Sequence, residues 1–380
     1  MPAEARIVSA ELGAYTVPTR MRGEERPESD GTLTWDKTSL VVVQVTAGSH
    51  TGLGYAYTSP AAFAVARDVL VPLVLGSDPL DSTQSFWRMA DAVRNLGWPG
   101  VCAGAISAVD CAVNDLKART LDVSLTQLLG GARPSVTAYG SGGFTDYTLA
   151  ELQGQLHGWA EEGLTAVKIK VGTDPAADLA RVAAARAAVG DAVELFVDAN
   201  GAYERKQALR FAEQFADLGV TWFEEPVSSD DLSGLRLLRD RAPAGMRIAA
   251  GEYGYTPSYF HEMLAAGAVD VIQADATRCG GPTGFLLAAA QATGAHVPAS
   301  SHTAPAIHAS LDAALPNVVN AEYFHDHILI EDLFFDGLPP LVDGELVPDR
   351  AAPGHGMTLK REDAHPYLTE AWASANSQGD

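Results

Sequence analysis

The chain has 380 residues, 47% of them hydrophobic and 19% charged, enough for a substantial core in one large domain or two of ordinary size. Lys and Arg number 26 against 48 Asp and Glu, a formal charge of -22. Such a surface repels phosphate backbones and anionic lipid, which argues against nucleic-acid and membrane partners.

Cys102, Cys111 and Cys279 share no metal-ligand spacing and cannot build a disulfide framework, as expected of a reducing compartment. No basic-then-apolar leader opens the chain, and no apolar run approaches the roughly 20 residues of a membrane span. A soluble, cytoplasmic protein is expected. Residues 7–17, 39–46 and 50–58 read as strands, the last two joined in a hairpin around Ala47-Gly48-Ser49. Helical periodicity follows in 61–75, 82–95 and 102–119. Strands first and helices later predict a separate α+β unit. Between its first two strands, 18–35 is polar and too long for a plain turn, so it reads as a disordered loop or a lid.

From Ser135 the chain repeats a short apolar run, a polar tip and a longer amphipathic segment. The runs are 135–139, 166–170, 193–197, 220–223, 247–250, 269–273, 295–299 and 318–321, with helices such as 149–162, 176–189, 205–218 and 284–293 between them. Eight strands alternating with helices predict a closed parallel barrel. The rival, an open doubly wound sheet, calls for a Gly-rich phosphate turn after its first strand. Gly140-Ser141-Gly142-Gly143-Phe144 lacks that fingerprint and its acidic partner roughly 20 residues on. The fold class is therefore α/β: a (β/α)8 TIM-type barrel with an N-terminal α+β capping domain. The expected divisions are 1–130 for the cap, 131–325 for the barrel and 326–380 for a C-terminal segment returning to the cap. That last segment is rich in Pro and Gly and shows no periodic helix.

The strand tips carry the chemistry. In order they offer Lys168 and Lys170, Asp198 and Asn200, Glu224 and Glu225, Glu252, Asp275, His302 and Glu322. In a parallel barrel all tips converge on one face, so these residues line a single pocket. Asp198, Glu224 and Glu252 are hard oxygen ligands from successive strands, the preference of Mg2+. Taken singly, each could be a solvated loop acid in a chain with 48 acids.

Lys168 and Lys170 alternate along one strand and face the same side. Their proximity is expected to lower a lysine pKa towards neutrality and make a base. The competing reading is an edge strand guarded by lysines. Asp275 and His302 suit a carboxylate–imidazole pair acting as a second acid or base, although Asp275 could instead cap a helix starting near Gly281. Glu322 reads either as a buried acid donating a proton or hydrogen bond to a substrate oxyanion, or as a loop acid.

Taken as an ordered set, Val167-Lys168-Ile169-Lys170, Phe196-Val197-Asp198-Ala199-Asn200-Gly201, Trp222-Phe223-Glu224-Glu225-Pro226, Gly251-Glu252, Asp275 and Ser300-Ser301-His302 resemble the enolase superfamily, within it the mandelate racemase subgroup. The segment Ala105-Ile106-Ser107-Ala108-Val109-Asp110, with Leu116 and 128–131, is similar to the helix that leads into that family's barrel. The resemblance implies a carboxylate substrate on Mg2+ held by Asp198, Glu224 and Glu252, and an enediolate formed by removing the proton next to the carboxylate. It implies Lys170 as base with Lys168 modulating it, and His302, oriented by Asp275, as acid or base on the opposite face. Glu322 would hydrogen-bond the enediolate, and Asn200 would lie near metal and substrate. Dehydration of an acid sugar, an aldonate or aldarate, to a 2-keto-3-deoxy acid is the leading expectation. Racemisation or epimerisation and cycloisomerisation of an anhydro-sugar acid are the chemical alternatives, and a metal-binding assembly module is the non-enzymatic one. The resemblance also implies a homo-oligomer, commonly an octamer.

Overall fold

The computed structural model describes residues 6–19 and 27–374. Eight parallel strands run Val136–Gly142, Ala166–Lys170, Glu194–Asp198, Val220–Glu224, Arg247–Ala250, Val271–Ala274, Ala299–Ser301 and Val318–Phe324. Each pairs with its neighbours in sequence, and the eighth closes on the first with Glu322 opposite Tyr139. Closure leaves no free edge on the second strand, so an edge-guarding role for its lysines is ruled out.

Alternation along each strand sets the interior. Tyr139, Ala166, Phe196, Trp222, Ala249 and Val271 form an apolar plug inside the barrel, with Phe196 stacked on Trp222 at 5.1 Å. Two positions further along the same inward rows come Lys168 above Ala166, Asp198 above Phe196 and Glu224 above Trp222. The period of two thus turns a packed floor into a charged mouth. The outward rows, Val167, Ile169, Leu195, Val197, Phe223, Ile248 and Ile272, are buried in the main core, which the surrounding helices complete.

The cap is an antiparallel sheet in the order Leu368–Ala373, Ser9–Pro18, Lys37–Ala47, His50–Tyr57. One face (Leu12, Ala14, Val41, Val43, Val45) packs with the helix Val101–Thr120. The other (Tyr15, Val17, Leu40, Val42, Tyr55, Tyr57) joins the barrel's core.

Three expectations differ from the structure. The seventh strand starts at Ala299 rather than Ala295, because the helix Gly281–Gly294 runs to its doorstep and Pro298, without an N–H, delays the ladder. The tail does contain a helix, His325–Phe334. Its buried face includes Asp326, His327 and Glu331, and these polar residues interrupt the apolar periodicity. The 18–35 stretch is not a structureless loop where described: Glu28–Ser29 pairs with Thr34–Trp35 in a small hairpin, while residues 20–26 lie outside the described residues. Gly31 lets this hairpin press on the barrel rim, since a Cβ there would lie 2.2 Å from the Ala199 carbonyl oxygen. Thr145 N–H donates to Ser29 O at 2.7 Å and the Thr173 hydroxyl to Asp30 O at 2.5 Å, pinning the hairpin over the mouth.

Candidate active site

Asp198 and Glu224 end the third and fourth strands, and Glu252 follows the fifth after Gly251. Gly251 has φ +140°, and a Cβ there would lie 2.6 Å from the Gln273 carbonyl oxygen, a position only glycine accepts. One oxygen from each of the three acids lies within 4.8 Å of the others, and all three residues are buried. Three hard oxygen donors at this spacing fit a small divalent cation such as Mg2+.

The cations around the trio are fixed by it. Lys168 Nζ donates to both Glu224 oxygens, at 2.9 and 2.8 Å, and lies 2.7 Å from Glu322 Oε1. Lys170 Nζ pairs with Asp198 Oδ2. The surrounding carboxylates work against the expected lowering of a lysine pKa. Burial does work against both charges, but Glu224 and Glu322 around Lys168, and Asp198 beside Lys170, outweigh it and raise both. The mutual repulsion of the two ammonium groups is the smaller effect.

His302 Nδ1 lies 2.9 Å from Asp275 Oδ2, and its Nε2 lies 3.2 Å from Glu252 Oε2. Burial opposes its charge, yet Glu252 and Asp275 raise its pKa to about 9. Asp275 caps no helix: the N-cap of Gly281–Gly294 is Gly280, without a side-chain bond. Glu322 accepts from the Ser141 hydroxyl at 2.6 Å and from Thr303 N–H at 2.8 Å. Burial would raise its pKa, but Lys168 and His302 hold it below the usual carboxylate range. Both of its oxygens thus accept hydrogen bonds inside the barrel mouth. Asn200 sits in the left-handed region at φ +46°, gives its N–H to Asp198 Oδ1 at 2.8 Å, and has a buried Oδ1 with no partner among the described residues.

A cavity of about 420 Å3 opens above this cluster. From the barrel it is lined by Lys170, Asn200, Glu252, Arg278, His302 and His327, and from the cap by Trp35, Lys37, Ser39 and Tyr57. Asp198, Glu224, Lys168 and Glu322 are buried and are reached through lining residues: Lys170 touches Asp198, and Glu322 accepts from the N–H of Thr303. Arg278 is a cavity residue that sequence reasoning passed over. It lies 3.3 Å from Glu252 Oε1 and 3.5 Å from Asp275 Oδ2. The signal was available, because a turn after the sixth strand brings position i+3 back onto Asp275. Trp35 falls in the 18–35 stretch read from the sequence as a loop or lid, whereas His327 carried no comparable signal.

Residues 14–130 match the mandelate racemase / muconate lactonizing enzyme N-terminal domain, and residues 151–364 match the enolase C-terminal domain-like family. The chain belongs to the mandelate racemase/muconate lactonizing enzyme family of the enolase superfamily. It is 34% identical over 319 residues to L-talarate/galactarate dehydratase of Salmonella typhimurium, covering 82% of this chain and 78% of that protein. It is also 34% identical over 321 residues to 3,6-anhydro-alpha-L-galactonate cycloisomerase of Streptomyces coelicolor, covering 82% and 86%. Among solved structures, a mandelate racemase/muconate lactonizing enzyme-like protein from Rubrobacter xylanophilus superposes with TM-score 0.92 at 48% identity, over 96% of this chain and all of that one. The Salmonella enzyme with Mg and L-lyxarohydroxamate bound superposes with TM-score 0.89 at 27% identity, over 98% and 96%. Its named relatives are enzymes, and magnesium is bound in the solved structures of the Salmonella dehydratase and of a racemase from Streptomyces coelicolor. No helix among the described residues is long and apolar enough to cross a membrane.

Proposed function

We propose that this enzyme dehydrates an acid sugar, an aldonate or aldarate, to a 2-keto-3-deoxy acid, with Asp198, Glu224 and Glu252 holding Mg2+. One observation carries the reading. Lys170 and His302 each touch a different member of the carboxylate trio and both line the cavity. An acid bound at the trio would therefore lie within reach of two proton-moving groups.

Asp198, Glu224 and Glu252 would hold the ion, which would supply positive charge next to a substrate carboxylate and so make the neighbouring C–H more acidic. Lys170 takes the α-proton once Asp198 is otherwise engaged and no longer supports its charge. Lys168, clamped by Glu224 and Glu322, contributes a fixed positive charge beneath the reacting carbons. His302 gives a proton from Nε2 to the β-hydroxyl, the C–O bond breaks, water leaves, and the enol tautomerises to the keto acid. Asp275 accepts from Nδ1–H, so the proton that the charged ring gives up is the one on Nε2. Asn200, whose buried Oδ1 has no partner among the described residues, would accept from a substrate hydroxyl.

The similarity to the Streptomyces cycloisomerase supports a second reading, ring opening of an anhydro-sugar acid, which shares the same first step. Incubating the protein with Mg2+ and a panel of aldonates, aldarates and anhydro-sugar acids separates the outcomes. Dehydration gives a 2-keto acid, detected by semicarbazide. Exchange of the α-proton in D2O without keto product indicates epimerisation. Neither product nor exchange with any acid refutes the proposal.

Further parts of the reading are a homo-oligomer of octameric form, testable by light scattering, and a reducing cytoplasm, supported by three free, buried cysteines. The division into 1–130, 131–325 and 326–380 is likewise proposed, and limited proteolysis tests it.

A further inference from the structure

His327 belongs to no strand tip. It is the third residue of the helix His325–Phe334 and lies where cap and barrel meet. Three contacts fix its ring. Nδ1 accepts from Ala304 N–H at 3.1 Å. The ring stacks on Tyr57 of the cap, with centroids 3.4 Å apart and planes 12° apart. Phe324 meets it edge-on at 5.0 Å. A ring nitrogen that accepts from a backbone N–H carries no proton, so in the neutral ring the proton sits on Nε2. Burial also pushes His327 well below the ordinary histidine range; Asp275 and Glu322 pull the other way, while His302 and Arg278 add to the lowering.

Only 6% of the residue is exposed, yet it lines the cavity that holds Lys170 and His302. The ring's side-chain hydrogen bond among the described residues is the one at Nδ1, which leaves Nε2–H for a ligand in the cavity that the residue lines. The chain has thus spent a backbone bond and an aromatic stack to aim a neutral, single-proton donor into the pocket. A neutral N–H on a stacked ring is poorly matched to a carboxylate needing a full counter-charge. It is well matched to a hydroxyl oxygen, to which it donates while the hydroxyl's own proton goes elsewhere. The adjacent Asp326 is already engaged, accepting from Trp35 Nε1 at 3.2 Å. The wall is therefore built by cap and barrel together.

We propose that His327 is a substrate-binding residue for the polyol tail: its Nε2–H, oriented by Ala304 and Tyr57, donates a hydrogen bond to a hydroxyl oxygen beyond the β-carbon. This deepens the acid-sugar reading and rests on it. It also names what the site selects, an acid whose chain continues, hydroxylated, past the reacting carbons.

Two variants separate donor from brace. In His327→Asn the amide oxygen takes the place of Nδ1 and still accepts from Ala304 N–H, but the donor is lost. In His327→Gln the amide nitrogen takes the place of Nε2 and restores the donor. Both are made in full-length protein carrying Lys170→Ala to stop turnover, with Mg2+ present. Calorimetry then measures binding of hexonates and hexarates, and of glycerate, which ends at the β-carbon. The expected result is about tenfold weaker binding of the six-carbon acid in His327→Asn, glycerate binding within twofold, a melting temperature lowered alike in both variants by loss of the Tyr57 stack, and recovery of most of the binding loss in His327→Gln. Unchanged six-carbon binding in His327→Asn overturns the assignment. Equal losses for both acids also overturn it, because they describe a purely structural brace. If no acid binds the Lys170→Ala parent, the acid-sugar reading itself fails and this inference falls with it.

Discussion

Replacing Lys170 with alanine should move two readouts in opposite directions. Its ammonium pairs with Asp198, one of the three acids assigned to Mg2+, and the pair is almost entirely buried. Without the ammonium, proton abstraction loses its base, and turnover should fall by about 10²–10⁴-fold. Mg2+ binding should tighten, because ammonium and metal compete for one carboxylate and repel each other. A unit charge at about 4 Å is worth about 4 kcal/mol at an effective dielectric near 20. Water entering the truncated site screens most of this, leaving about 1.4 kcal/mol, roughly tenfold in Kd. Titrating chelator-stripped protein with Mg2+ by calorimetry gives the affinity, and α-proton exchange in D2O followed by NMR gives the activity. A variant whose Mg2+ affinity drops together with its turnover refutes the reasoning, because Lys170 would then be organising the metal site rather than serving as its proton acceptor.

Lys168→Met strands Glu224 and Glu322 as buried carboxylates, since Lys168 is wholly buried against both. A loss of about 3–5 kcal/mol in urea unfolding with chelator present is expected, and a loss below about 1 kcal/mol contradicts it. Asp312 is buried and its pKa is raised to about 8, although the Ser301 hydroxyl bond and Arg133 act the other way. The folded protein keeps a proton that the unfolded chain sheds above about pH 4. Stability from this group therefore declines as pH rises from about 4 through about 8 and is level beyond. Asp312→Asn should flatten that slope in melting curves across the same range, and parallel slopes count against it. Gly31→Ala places a methyl 2.2 Å from the Ala199 carbonyl oxygen and should lift the Glu28–Ser29/Thr34–Trp35 hairpin off the rim. The expected result is at least a fivefold rise in KM at near-constant stability, since the hairpin covers the mouth rather than the core. An unchanged KM speaks against the hairpin as part of the binding wall.

The barrel mouth could be anticipated because one geometric rule governs it. In a strand with a side-chain period of two, the residue that floors the barrel dictates which residue stands at its mouth, so Ala166 points to Lys168 and Lys170, Phe196 to Asp198, and Trp222 to Glu224. Glu252 lies outside such a row, yet its place after Gly251 at a strand end still marked it. The pairing of Asp275 with His302 was anticipated from adjacent tips. What the rule cannot reach is any contact made after the strands end. His325–Phe334 was not recognisable as a helix because Asp326, His327 and Glu331 occupy buried positions where apolar residues would have marked the period. Those same three residues hold the cap: Asp326 accepts from Trp35, His327 stacks on Tyr57, and Glu331 accepts from the Tyr55 hydroxyl at 2.7 Å. The interruption of the pattern and the closure of the pocket therefore have one cause. A buried polar residue tolerates its position only with a partner, and here the partners lie nearly 300 positions away in the chain, on the domain that covers the site. The same logic accounts for the lysine pKa values, which two neighbouring ammonium groups alone would have lowered. The controlling charges come from strands four and eight for Lys168 and from strand three for Lys170, and only the closed barrel brings them within reach.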